Sequence, residues 1–209
     1  MVGEGVLYEC LIHPNVESVL VINRRSCGIE HEKLREIIHQ DFHDFSSFED
    51  QLVGYNACYY CLGVSSIGMK EEDYRKITYD LTLNIANILV RINSQMTFCY
   101  VSGIGTDSTE KGRSMWARIK GKTENDLMKL PFKASYMFRP GYIQPTAGLK
   151  NSYKIYKIVG PFYPILKTLL PKYVCTLEQL GLAMIQSVIN GTDVRVLEPR
   201  NIRLLAEKG

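Results

Sequence analysis

Two adjacent arginines, Arg24 and Arg25, close the apolar run VESVLVIN. A guanidinium pair in such a place suits a phosphate group, which it can hold through paired charge-assisted hydrogen bonds; the plain alternative is a solvated turn. Four further apolar runs end on residues with chemical uses: Asp41-Phe42, Leu62-Gly63-Val64, Ser102-Gly103 and Arg139-Pro140-Gly141. Gly63 would let the backbone approach a ligand closely. Asp41 would either accept a hydrogen bond from an amino group or cap the turn toward Phe45. Other spacings carry less. Cys58 and Cys61 lie in NACYYCLG, which reads as a buried strand. Side chains alternate along a strand, so a separation of three sends the two sulfurs to opposite faces and they share no metal. His39 and His43 flank Asp41, but REIIHQDF reads as a strand and its exit, so helical ligand spacing does not apply.

The elements that must position these residues follow from period and punctuation. A helix is expected over about 4–12, ending at His13-Pro14, then strands in VESVLVINRR and LREIIHQDF. A short helix near 47–52 precedes NACYYCLG, whose continuous apolar character suits a strand covered on both faces. A long helix spans about 71–92, with Ile77, Leu81, Ile85, Ile88 and Leu89 at helical spacing. The strand MTFCYVSG, a helix over about 113–130 and the strand KASYMFRPG follow. Thr176 is an N-cap for the helix TLEQLGLAMIQSVI, and RVLE with a short helix closes the chain. Such alternation implies an α/β fold, a doubly wound parallel sheet of Rossmann type. A single domain over 1–209 is expected, with residues 142–175 forming a small lid over the strand ends. In such sheets ligands bind at the carboxyl ends of the strands, where all five terminal groups lie.

Composition limits the partners. The 209 residues carry a net charge of +3, and Lys and Arg do not gather into one block, which gives no argument for nucleic acid. The longest apolar stretch, IYKIVGPFYPILKTLLP, is broken by two lysines, a glycine and three prolines, so it does not span a bilayer. Glu4 and Glu9 stand where a signal peptide would be positive. Six cysteines without such a signal fit reduced thiols in the cytoplasm.

In a dinucleotide fold, arginine at the Arg24-Arg25 position accommodates a 2′-phosphate where an acidic residue would bind a free 2′-hydroxyl. That points to NADP. Taken in order, NRR, DF, CLG, YVSG, WARIKGKTE and FRPG resemble the short-chain dehydrogenase/reductase superfamily. The likeness is to its small, atypical, epimerase-like members related to the Tat-interacting oxidoreductase, and it covers nearly the whole chain. It implies catalytic roles for Ser102 and Lys120. It also implies cofactor contacts from Gly3, Arg24, Arg25, Asp41, Phe42, Leu62, Gly63, Lys120, Pro140 and Gly141. The family's Tyr-x-x-x-Lys motif places a proton-transferring tyrosine one helical turn before a lysine that holds the nicotinamide ribose. Here that position is Trp116, and an indole N–H donates a hydrogen bond but is no acid or base near neutral pH. Tyr153 and Lys157 repeat the spacing, but after FRPG; Tyr100, Tyr136 and Tyr142 are alternative acids.

Relatives also begin with a strand and a Gly-x-x-Gly-x-x-Gly turn, whose last glycine matches Gly3. The resemblance therefore implies that the first strand and two glycines are missing, through a start placed at an internal methionine or a truncated form with damaged cofactor binding. The expected function is an NADP(H)-binding oxidoreductase or epimerase-like protein acting on a small carbonyl or hydroxyl compound. The alternatives are a non-catalytic NADP(H)-binding module that reports redox state to a protein partner, and an inactive truncated form.

Overall fold

The computed structural model describes residues 1–146 and 171–208, which fall into two compact units. The first takes in the described parts of Met1–Phe42, Tyr142–Gly191 and Pro199–Gly209; the second takes in His43–Gly141 and Thr192–Glu198.

In the first unit, α1 (Val2–Ile12) precedes two parallel strands, β1 (Val19–Asn23) and β2 (Leu34–Ile38), paired Val19 to Leu34 through Asn23 to Ile38. Two short strands, β6 (Tyr142–Gln144) and β7 (Val174–Thr176), also pair in parallel. Then come α5 (Leu177–Ile189) and the last helix, α6 (Pro199–Ala206). Thr176 caps α5 as expected: its hydroxyl accepts from the Gln179 N–H at 3.0 Å, and the Gln179 side chain accepts from the Thr176 N–H at 3.0 Å. Such a box stabilises a helix by about 1 kcal/mol. Leu177, Leu180, Ala183, Met184 and Ile185 of α5 are almost fully buried, as are Val6 and Cys10 of α1, which packs on it.

Two glycines make the approach of α1 and α5 possible. A Cβ on Gly5 would stand 2.2 Å from the Leu177 side chain, and one on Gly181 would stand 2.6 Å from Glu9 Cγ. Gly5 is thus a packing residue. The same closeness buries Glu9, which is 4% exposed. Burial, and next the negative charge of Glu178, raise its carboxyl above the ordinary value. A carboxyl raised by folding holds its proton longer in the folded chain than in the unfolded one. Its contribution to stability therefore falls as pH rises above the unfolded value of 4.5. Glu9→Gln is expected to raise the melting temperature at pH 7 and to flatten its decline between pH 4 and 7. Identical pH profiles for the two proteins would show that Glu9 is not the linked group.

The second unit holds a four-stranded parallel sheet in the order β3-β4-β5-β8. These are β3 (Ala57–Tyr60), β4 (Thr97–Val101), β5 (Ala134–Phe138) and β8 (Val196–Leu197). RVLE thus contributes the strand beside β5 at one end of the sheet. β4 carries the core, with Phe98 and Cys99 fully buried and Tyr100 2% exposed. Each such side chain contributes about 1.5–3 kcal/mol of burial. β3 differs from expectation. It lies at the other end of the order, so Ala57, Cys58 and Tyr59 are half-buried and only Tyr60 is fully covered.

The long helix between β3 and β4 is present in three parts: α2 (Glu71–Arg75), a wider turn over Lys76–Asp80, and α3 (Leu81–Ile92). Beyond β4, α4 (Met115–Leu127) returns the chain to β5. Parallel strands joined through helices make this a Rossmann-type α/β fold. Of the expected lid, residues 147–170 lie outside the described residues, as do Tyr153 and Lys157. Among the described residues no helix is long and apolar enough to cross a membrane.

Candidate functional site

In the first unit, β1 and β2 run parallel, so their carboxyl ends bring Asn23-Arg24-Arg25 and Asp41-Phe42 to one edge of the pair. Arg24, Arg25 and Asp41 are exposed and Phe42 is half-buried. Neither arginine lies within 4.0 Å of a carboxylate among the described residues. Gly3 stands exposed in the first turn of α1.

In the second unit, the carboxyl ends of β3, β4 and β5 gather Leu62-Gly63, Ser102-Gly103 and Arg139-Pro140-Gly141 at one end of the sheet. The ladder continues past the strands: the Ser102 N–H donates to the Phe138 carbonyl at 2.8 Å and the Ile104 N–H to the Pro140 carbonyl at 2.9 Å. A Cβ at Gly63 would meet nothing within 4 Å, so its backbone is open to a ligand.

Helix α4 supplies the rest, with Trp116, Lys120 and Glu124 one turn apart on one stripe. The loop after β4 is pinned to this helix. The Asp107 N–H donates to the Ala117 carbonyl at 3.0 Å, and a Cβ on Gly121 would stand 1.8 Å from the Asp107 carbonyl oxygen. The Trp116 ring covers Gly105, whose φ of +84° suits glycine. Lys120 Nζ donates to the Ser102 carbonyl at 2.6 Å. Burial lowers this amine to about 8, against the opposing pull of the Glu124 charge. An amine so placed changes its protonation near neutral pH, which a solvated lysine does not.

The centre of this cluster is a residue that the strand-end reading passed over. Glu124 is fully buried and accepts from the Ser102 hydroxyl at 2.5 Å. Arg139, itself 8% exposed, grips the same carboxylate: its Nε lies 3.0 and 3.1 Å from the two oxygens and Nη2 bonds the second. Nη2 also donates to the Ser108 hydroxyl at 2.5 Å. Ser102, Lys120 and Arg139 are thus brought together, with the Ser102 hydroxyl turned inward to Glu124.

The three tyrosines are placed differently. Tyr100 is sealed in the core, and burial first, then Tyr74, Tyr60 and Glu124, push its hydroxyl well above the ordinary value. The Tyr136 hydroxyl is engaged with both the N–H and the carbonyl of Thr192, at 3.1 and 3.3 Å. Tyr142 belongs to the first unit, where its hydroxyl bonds the Gln144 side chain at 3.1 Å.

No family model matches the chain. Solved structures do. UDP-N-acetylglucosamine 4-epimerase of Methanobrevibacter ruminantium M1, in complex with UDP-N-acetylmuramic acid, superposes with a TM-score of 0.66 at 13% identity, over 94% of this chain and 71% of that one. WbmG of Bordetella bronchiseptica, in complex with NAD, gives 0.65 at 10% identity, over 100% and 74%. A short-chain dehydrogenase family protein of Francisella tularensis gives 0.64 at 10% identity, over 94% and 91%. At 10–13% identity the likeness is one of fold, the Rossmann-type α/β fold that this chain shares with these three structures. Within this fold the Glu124–Arg139 pair had a faint sequence signal. A glutamate one turn beyond Lys120 falls on the stripe that faces the strand ends, and FRPG ends a buried strand on a cation.

Proposed function

We propose that this chain binds NADP(H) and acts as an oxidoreductase or epimerase-like enzyme on a small carbonyl or hydroxyl compound in a reducing, cytoplasmic setting. The observation that carries the reading is the pair of exposed arginines at the end of β1, with no carboxylate within 4.0 Å among the described residues. Two uncommitted guanidinium groups on one turn fit a dianionic phosphate, which distinguishes NADP(H) from NAD(H). The nicotinamide, when bound, supplies the hydride chemistry. Lys120 would hold its ribose, and the open backbone at Gly63 would admit it closely. The six free cysteines suit the reducing setting.

A second reading is a non-catalytic NADP(H)-binding module that signals redox state to a protein partner. Two observations favour it: the residue one turn before Lys120 is Trp116, and the Ser102 hydroxyl is committed to Glu124. General acid–base catalysis is worth about 10²–10⁴-fold, so a chain without its tyrosine should turn over slowly.

Measuring NADPH binding and NADPH consumption on one preparation separates the readings. Binding with slow consumption of simple aldehydes supports the first, binding alone the second, and no binding defeats both. Lys120→Ala is expected to weaken NADPH binding about tenfold, the worth of one hydrogen bond from a charged group. Lys122→Ala should change it little, because Lys122 points away to Asp126 at 2.9 Å and over the Tyr79 ring. Equal losses from both variants would mean that the helix face is wrongly assigned.

A further inference from the structure

We propose that Glu36 and Gln40 are positioning residues that hold the Arg24-Arg25 turn in place, and that this preorganisation sets the discrimination between NADPH and NADH. The inference rests on the phosphate reading of the two arginines and goes a step past it, to the groups that fix where they stand.

Glu36 lies on β2 opposite Val21, two residues before the end of β1, and is half-buried. One of its oxygens accepts from the Asn23 side-chain amide at 3.2 Å and from the Cys27 N–H at 2.8 Å. It thereby ties the first residue before the arginines to the second residue after them. Gln40, beyond β2, donates its side-chain amide to the Arg24 carbonyl at 2.7 Å, and the His39 N–H donates to the Asn23 carbonyl at 2.8 Å. Ser26 contributes as well: its hydroxyl accepts from the Gly28 N–H at 3.1 Å, where Gly28 at φ +65° reverses the chain. Residues 23–28 are thus fastened before, between and after the two arginines.

The character of these bonds matters as much as their number. A carboxylate this near two arginines would be expected to pair with one of them and so use it up. Glu36 takes uncharged donors instead, and neither arginine lies within 4.0 Å of it. Burial alone would raise the Glu36 carboxyl, but the bonds from Ser26, Cys27 and Asn23 outweigh it and hold the carboxyl below its ordinary value. The result is a fixed backbone presenting two side chains with no carboxylate partner among the described residues. Ordering a backbone turn costs conformational entropy, and a turn already ordered spares a ligand that cost. Only a ligand that needs the turn benefits. NADPH carries a phosphate for the arginines and NADH does not.

The test measures dissociation constants of NADPH and NADH for the full chain and three variants. Glu36→Ala is expected to weaken NADPH about tenfold, the effect of one or two lost hydrogen bonds, with NADH unchanged. Glu36→Gln keeps an acceptor oxygen and should stay within about threefold of the unmutated chain. Gln40→Ala, at an exposed position that folding tolerates, should weaken NADPH about threefold and leave NADH alone. If Glu36→Ala does not fold, Gln40→Ala decides: an NADPH-selective loss supports the proposal and an unchanged ratio overturns it. Parallel losses for both nucleotides overturn it too, because a merely structural role would produce them. An unmutated chain that binds the two nucleotides equally refutes the arginine reading itself, whereas NADPH preference that survives all three variants refutes only the positioning role.

Discussion

Arg139→Met is expected to destabilise the second unit by about 3–5 kcal/mol, since it strands the Glu124 carboxylate without its cation. Glu124 has no exposure to water, so it cannot recover in solvent what it loses in the pair. A loss of that size is a large part of the 5–15 kcal/mol that holds a typical domain together. Glu124→Leu alone should be nearly as damaging, because it leaves the Arg139 guanidinium at 8% exposure without its carboxylate, keeping the Ser108 hydroxyl as a partner. The double variant Arg139→Met/Glu124→Leu should recover most of the loss, because apolar replacements of a whole buried pair are often neutral or better. Urea unfolding of the four proteins gives the coupling energy directly. Additive effects would show that the pair is not the coupled unit that its geometry indicates. The double variant also leaves the Ser102 hydroxyl with the Phe138 carbonyl at 3.2 Å in place of Glu124, so its NADPH consumption reports whether Glu124 restrains that group.

The strand ends were legible because apolar runs stop where the sheet stops. Asn23, Tyr60, Val101 and Phe138 close their strands, and each is followed within three residues by the polar or glycine residues that the sequence singles out. The Trp116 and Lys120 face was legible for the same kind of reason, since one helical turn fixes their relation whatever else the fold does. What the sequence did not show depends on distant partners. Glu124 reads as one more solvated helix charge until Arg139 and Ser102 are seen to converge on it. Nothing near Gly5 in the sequence announces that Leu177, far along the chain, packs against it. β3 reads as fully covered because its residues are apolar, yet its exposure is set by its place at the end of the sheet order. The wider turn at Lys76–Asp80 leaves no mark on the apolar period of residues 71–92. Local chemistry predicts where a side chain starts, and long-range packing decides what it meets.

The Arg24→Ala/Arg25→Ala variant is expected to lose NADPH affinity by two to three orders of magnitude. A hydrogen bond to a charged group contributes about 1.5–3 kcal/mol, and two arginines lost together remove at least two such bonds. NADH should bind as before, because the groups removed have no phosphate to meet in that nucleotide. Each single variant should fall between, and Arg→Lys at either position should recover only part of the affinity, since an ammonium cannot offer the two parallel donors of a guanidinium. Salt supplies an independent check. Both arginines are exposed, so their attraction for a phosphate is screened over about 8–10 Å at ordinary ionic strength. The NADPH affinity of the unmutated chain should drop between 0.05 and about 0.5 M salt. That of the double variant, already without the contact, should move much less. Titration of nucleotide fluorescence on the full chain reads all of these. Equal affinity of the unmutated chain for NADPH and NADH would end the phosphate reading, and Arg24 and Arg25 would then be the solvated turn that their exposure also allows.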